Sequence, residues 1–195
     1  MGDPLVGAAS LTTLVLWWWL PRHRRQLAII LLVVLAAGAA AKSWSRVRAL
    51  RAYHDSVAAQ ASDGAFLIEP VWGSPFEWRI LDRTGDSVRA WAADSLGPNA
   101  RLTVSVPRFP AENSRALDAV ARSRSWDTVR HLNRAHDFTF ATVTSDASTG
   151  VVRVLWSDLR YCDTPTSCAI RAGGDLSPSG DVRLVVLVGN WLQTR

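Results

Sequence analysis

The chain has 195 residues, a net charge of +5 and a pI near 10.2, which leaves room for one membrane unit and one domain of ordinary size. Lys42 is the only lysine, so the positive charge is almost all arginine. The arginines are scattered rather than clustered, and no run in the soluble part interleaves bases and aromatics, which argues against a nucleic-acid binder.

Two uncharged apolar runs come first, Leu5–Leu20 and Leu27–Ala41, separated by Pro21-Arg22-His23-Arg24-Arg25. Each is slightly shorter than the roughly 17–25 residues of a spanning helix, and flanking residues can close the gap. Trp17, Trp18 and Trp19 end the first run against the basic turn, at the headgroup level that indoles prefer. Both runs are apolar on every face, and the remaining chain is too short to bury two such helices. That disfavours a soluble core. A signal peptide built on His23–Arg25, Leu27–Leu35 and Ala36–Ala41 is the other alternative, opposed by the apolar run that precedes it. Arg22, Arg24, Arg25, Lys42, Arg46, Arg48 and Arg51 flank the runs and suit a bilayer with anionic headgroups.

Trp44, Val47, Leu50, Tyr53 and Val57 then recur at helical spacing, until Ser62-Asp63-Gly64 stops the pattern. From Ala65 the period is that of strands. Those expected are Ala65–Glu69, Phe76–Asp82, Ser87–Ala93, Arg101–Val106, Phe138–Thr144, Val151–Ser157 and Val182–Val188. Arg83–Asp86 and Asp146–Gly150 read as hairpin turns. Gly173-Gly174 and Ser177–Gly180 read as the last turns. Between Glu112 and His136 the pattern is helical, carried by Leu117, Val120 and Ala121, then Trp126, Val129 and Leu132, with Asn113 or Ser114 as cap.

The expected fold class is an α+β membrane protein. Residues 1–62 form a transmembrane helical hairpin with an amphipathic juxtamembrane helix. Residues 63–195 form a mostly antiparallel β domain, sandwich-like, with one helical insertion.

The sequence is poor in catalytic signals. It holds no H-E-x-x-H, G-x-S-x-G or phosphate-loop motif. His54-Asp55 is the most inviting metal pair, but neighbours on a helix point about 100° apart and cannot readily share one ion. His131 and His136 suit a helix C-terminus. Cys162 and Cys168 are too few for a zinc site. They leave two readings: a local disulfide, which needs an oxidising compartment, or two thiols packed in a sheet. Two segments stand out, the ring-rich Pro70–Ile80 and the strand end Trp156–Tyr161. Neither holds a credible nucleophile, so a structural corner is favoured over a catalytic one.

The hydrophobic hairpin, the basic helix, "EPVWGSPFEWRIL" and "VLWSDLRY" together resemble the C-terminal half of the bacterial membrane-bound metal-dependent hydrolases, from about Asp3 to the end. The matching positions are Pro75, Phe76, Trp78 and Arg79, then Asp158, Arg160 and Tyr161. Asp3-Pro4-Leu5 is similar to the Asp-Pro that opens the family's later membrane helices. The resemblance implies a divalent metal as cofactor. The family's metal motifs lie upstream of that Asp-Pro, so only Asp3 remains of them, and one carboxylate does not hold a catalytic metal. This start points to a late gene start or a truncated relative.

Two functions are expected on this basis. One is the membrane-anchored C-terminal portion of a metal-dependent hydrolase, inactive alone. The other is a non-enzymatic membrane protein whose β domain binds a partner or senses the envelope. The expected location is the bacterial inner membrane. A cytoplasmic Arg22–Arg25 turn puts the β domain outside. Lys42, Arg46, Arg48 and Arg51 argue the other way, but the cysteine pair suits the oxidising side.

Overall fold

The computed structural model describes residues 4–19, 21–56, 65–110, 114–189 and 191–194. Asp3, Leu20, Val57, Ser62-Asp63-Gly64 with the expected domain boundary, and the cap candidate Asn113 lie outside the described residues. The fold is α+β, with apolar helices at the N-terminus and antiparallel sheets after them.

Helix α1 (Pro4–Trp19) has 16 residues and is about 24 Å long. That is short of the roughly 30 Å hydrocarbon layer. After a 3-10 turn at Pro21–His23, α2 runs unbroken from Arg24 to His54, 31 residues or about 46 Å. Among the described residues, only the helix at Arg25–His54 is long and apolar enough to cross a membrane, where the sequence led us to expect two. Its apolar stretch is open along its length, with Leu32 66% and Val33 60% exposed.

The strands are β1 (Phe66–Pro70), β2 (Glu77–Arg83), β3 (Ser87–Asp94), β4 (Ala100–Pro107), β5 (Thr139–Ser145), β6 (Val152–Asp158), β7 (Cys162–Thr164), β8 (Ser167–Cys168), β9 (Ile170–Leu176), β10 (Val182–Val188) and β11 (Trp191–Thr194). One sheet has the order β1-β2-β3-β4, joined by connections too short for parallel crossovers. The second has the order β11-β10-β9-β6-β5, antiparallel at every pairing. A β7–β8 ladder stands apart. The helical insertion is two helices, α3 (Ser114–Ser123) and α4 (Asp127–Ala135), rather than one. The break falls where Trp126 adopts an extended backbone and donates its N–H to the Ser123 carbonyl.

The chain divides into two compact units that interleave in sequence. The first comprises residues 1–59, 68–80 and 92–101, and the second comprises 60–67, 81–91 and 102–195. In the first unit, the face of α2 that is buried carries Ser45, Ala49, Ala52 and Tyr53, while Trp44 and Val47 of the expected apolar stripe are exposed. Small side chains let the helix backbone approach its neighbours, and polar Ser45 is accommodated because it is hydrogen-bonded there.

The second unit has two cores. Leu81, Val88, Ala90 and Val106 pack with Phe138, Phe140, Leu159, Cys162 and Cys168. Ala119, Val120, Val129 and Leu132 of the helices pack on Ala141, Val152, Val154, Trp156 and Ala172. Phe140 and Ala141 serve opposite cores, as alternation along β5 requires. Leu117, expected in the core, is exposed, and Ala116 is buried instead.

Gly173-Gly174 is not a turn but the middle of β9, flanked by β6 and β10. A Cβ on Gly173 would lie 1.9 Å from the Val154 carbonyl oxygen, and one on Gly174 would lie 3.0 Å from the Trp126 ring. Both glycines are there for close approach.

Candidate functional site

In the first unit the motif residues of β2 form a docking knot. Trp78 is buried at the middle of it. Its indole N–H donates to the Ser45 hydroxyl at 2.7 Å, and that hydroxyl donates to the Pro75 carbonyl at 3.2 Å. Arg48 Nε, one turn further along α2, donates to the Ser95 carbonyl at 3.3 Å, and the Ser95 N–H donates to the Phe76 carbonyl at 2.9 Å. Arg79 lies 3.8 Å from Glu69 on β1. Phe76 is 40% and Trp72 76% exposed on the same segment, and Trp44 beside Ser45 is 52% exposed. This unit thus carries open rings close to where α2 loses its apolar character.

In the second unit Asp158 ends β6 and is buried. Asp158 and Arg160 meet because a 3-10 turn, Leu159–Tyr161, folds Arg160 back over the carboxylate. Asp158 Oδ1 accepts the Arg160 backbone N–H at 2.8 Å and Oδ2 accepts its guanidinium at 2.7 Å. His136, just past α4, is the partner that local patterning missed. Its Nδ1 lies 3.2 Å from Asp158 Oδ2 and also touches the Arg160 guanidinium. Tyr161 meets the His136 ring edge-on at 5.7 Å. His136 is thus held by the Arg160 guanidinium, which donates to its Nδ1 and is itself held by Asp158. The Arg160 backbone N–H and two N–H groups of its guanidinium converge on one buried carboxylate, which satisfies it and locks the corner.

A second buried carboxylate, Asp82, was not singled out from sequence. Arg89 grips it with two bonds of 2.7 and 2.6 Å, and Trp91 donates its indole N–H at 3.2 Å. The signal was present: Arg89 and Trp91 share one face of β3, opposite Asp82 across the Arg83–Asp86 turn. Cys162 and Cys168, directly opposed on β7 and β8, are joined by a disulfide.

His136 also lines a cleft of about 430 Å³ at the edge of the second unit. Arg83 reaches it from the end of β2, Arg108 from just past β4 and Arg124 from the break between α3 and α4; Asn133 and Asp137 complete its polar wall. These residues were not singled out because each is merely the polar neighbour of an element end. Only the fold brings those ends together. Among the described lining residues the hydroxyl is that of Thr139, which donates to Asn133 Oδ1 at 2.6 Å.

Among the described residues no group of three or more His, Cys, Asp or Glu side chains is placed to hold a metal. His54 and Asp55 are both exposed at the end of α2. His131 is exposed on α4, and His23 Nδ1 lies 2.9 Å from Gln26 Oε1. The described residues do not fit the divalent metal that the resemblance implied, and Asp3 lies outside them.

Compared with protein-family models, curated proteins and solved structures, the chain matches none.

Proposed function

We propose that this chain is a membrane-tethered protein whose β-rich part is a binding module, not a catalyst. The observation that carries the tether is α2. One continuous helix presents open apolar side chains over its first half and a docked face of Ser45, Ala49, Ala52 and Tyr53 over its second. The first half suits lipid, and the second fixes the helix to folded protein. In this reading α1 pairs with α2 as a hairpin, with the Arg22–Arg25 turn in the cytoplasm. Trp44 and Trp72 lie at the headgroup level, where indole rings are favoured. The Cys162–Cys168 disulfide favours an extracytoplasmic β domain. The binding role is supported by a polar cleft whose histidine and arginines are fixed in place.

The test is extraction of membranes carrying the full chain. Alkaline carbonate and high salt leave it in the pellet, because apolar insertion is insensitive to screening. Release by salt alone contradicts the tether. The hydrolase that the resemblance implies needs metal ligands from outside the described residues. Elemental analysis of the purified chain decides between the two. Less than a tenth of an equivalent of zinc or manganese agrees with a binding module, and about one per chain favours the hydrolase.

A further inference from the structure

We propose that the loop between β1 and β2, residues 71–76, is a second membrane contact, with Trp72 at its tip lying in the headgroup layer of the leaflet into which α2 emerges. The inference rests on reading α2 as the tether. Phospholipid, in this proposal, is what covers the open rings of the first unit.

The level of the loop follows from the length of the helix. The uncharged run of α2, residues 27–41, is centred on Val34. A hydrocarbon layer of roughly 30 Å reaches about ten helical residues to either side of that centre. On the side of the folded unit its edge therefore falls at Trp44. Ser45, the next residue, is where the loop is fastened, its hydroxyl donating to the Pro75 carbonyl at 3.2 Å. The loop that carries Trp72 is thus held at the boundary by α2 itself. Arg48, one turn further along, donates to the Ser95 carbonyl and lies 5.9 Å from the centre of the Trp44 ring. All of these residues belong to the first unit.

The chemistry of the loop suits an interface. Residues 70–76 carry no charged side chain, so no charge has to be desolvated when they enter it. Gly73, at φ +83°, permits the tight turn in which the Ser74 N–H donates to the Val71 carbonyl at 3.3 Å. The Val71 N–H donates to the Glu77 carbonyl at 3.0 Å and the Glu77 N–H to the Ser74 hydroxyl at 3.2 Å, which closes the loop at its base. Trp72 stands on this turn 76% exposed. A turn already formed loses little conformational freedom on insertion. An exposed ring alone needs no explanation. This one is held level with the end of an apolar helix, where an indole is favoured. Arg46 and Arg51, exposed on the adjoining turns of α2, bring cations to the level of the lipid phosphates.

The experiment uses the full chain in phosphatidylcholine nanodiscs, with a nitrobenzoxadiazole fluorophore on one introduced cysteine at a time, the native pair being joined in the disulfide. The quencher is phosphatidylcholine carrying a nitroxide at the top of its acyl chain. Trp72→Cys reports the loop, and because that ring is exposed its removal leaves Trp78 and its bonds in place. Val33→Cys, open in the apolar run, reports the span. His54→Cys, about 15 Å beyond Trp44 along α2, reports water. Quenching at Trp72→Cys is expected to exceed that at His54→Cys by about threefold, as for a side chain seated at the headgroup and acyl boundary. Quenching at Val33→Cys with Trp72→Cys behaving like His54→Cys overturns the proposal and leaves the tether standing. A Trp72→Cys label shielded from water but untouched by the nitroxide shows that protein covers the loop, and overturns it too. No quenching at Val33→Cys contradicts the tether, and the proposal falls with it.

Discussion

At the scale of single residues, the hydrogen bond between Trp78 and Ser45 joins a strand motif to α2, and it makes a sharp prediction. Trp78 is 4% exposed, so Trp78→Ala costs about 3–5 kcal/mol as lost burial and a cavity. Ser45→Ala removes only a hydroxyl but strands a buried indole N–H, at a cost of about 1–3 kcal/mol. Urea unfolding of both variants checks this; Ser45→Ala indistinguishable from the parent shows that the bond does not stabilise the knot. Trp78 and Asp158 were visible in the sequence because aromatic density and an Asp-x-Arg-Tyr cluster are local signals. Their partners were not. Ser45 lies 33 positions from Trp78 in sequence, and a serine on a basic helix carries no mark of burial. His136 looked like a helix terminus because that is its local setting. The arginines of the cleft were read as scattered charge, which along the chain they are.

At the scale of elements, periodicity located most strands to within a residue, as in Val151–Ser157 against β6 at Val152–Asp158. It failed at β9, where two glycines erased the alternation. The physical reason is the crowding over Gly173, and the consequence is testable. Gly173→Ala places a methyl on the Val154 carbonyl, so the β6–β9 ladder must part, and the variant unfolds at a markedly lower urea concentration. An unchanged midpoint contradicts that crowding.

The Asp146–Gly150 turn carries the clearest titration. Asp146 accepts the Ser148 hydroxyl at 2.7 Å, the Ser148 N–H at 2.9 Å and the Thr149 hydroxyl at 2.8 Å. These bonds, the Ser148 hydroxyl foremost, favour the carboxylate and lower its pKa to about 2 from the ordinary 3.8. A lowered folded pKa means the turn's contribution is complete above pH 3.8 and is lost as pH falls through about 2. An NMR titration of the Asp146 carboxyl shows a midpoint near 2; a midpoint near 3.8 contradicts the turn geometry. This turn was legible because Asp, Ser, Thr and Gly each bring their own local bonding or backbone freedom, with Gly150 at φ +67°.

At the scale of the whole molecule, what matters is where the apolar helix goes. The buried face of α2 was hidden because small residues mark close packing only weakly, whereas the large ones at Trp44 and Val47 draw the eye and remain exposed. The apolar run before it was plain in the sequence, because a long uncharged stretch is a signal of composition alone. The account's central claim is that α2 crosses the bilayer and holds the β-rich part on its outer side. Single-cysteine labelling in intact cells with a membrane-impermeant maleimide tests it. The native cysteines are both in the disulfide, so one introduced cysteine is the reactive thiol. His23→Cys and His54→Cys lie at opposite ends of α2, and both positions are exposed. The account predicts that His54→Cys is labelled in intact cells and His23→Cys only after permeabilisation. Labelling of both from the same side contradicts a spanning α2, and labelling of His23→Cys alone in intact cells contradicts an outward-facing β domain.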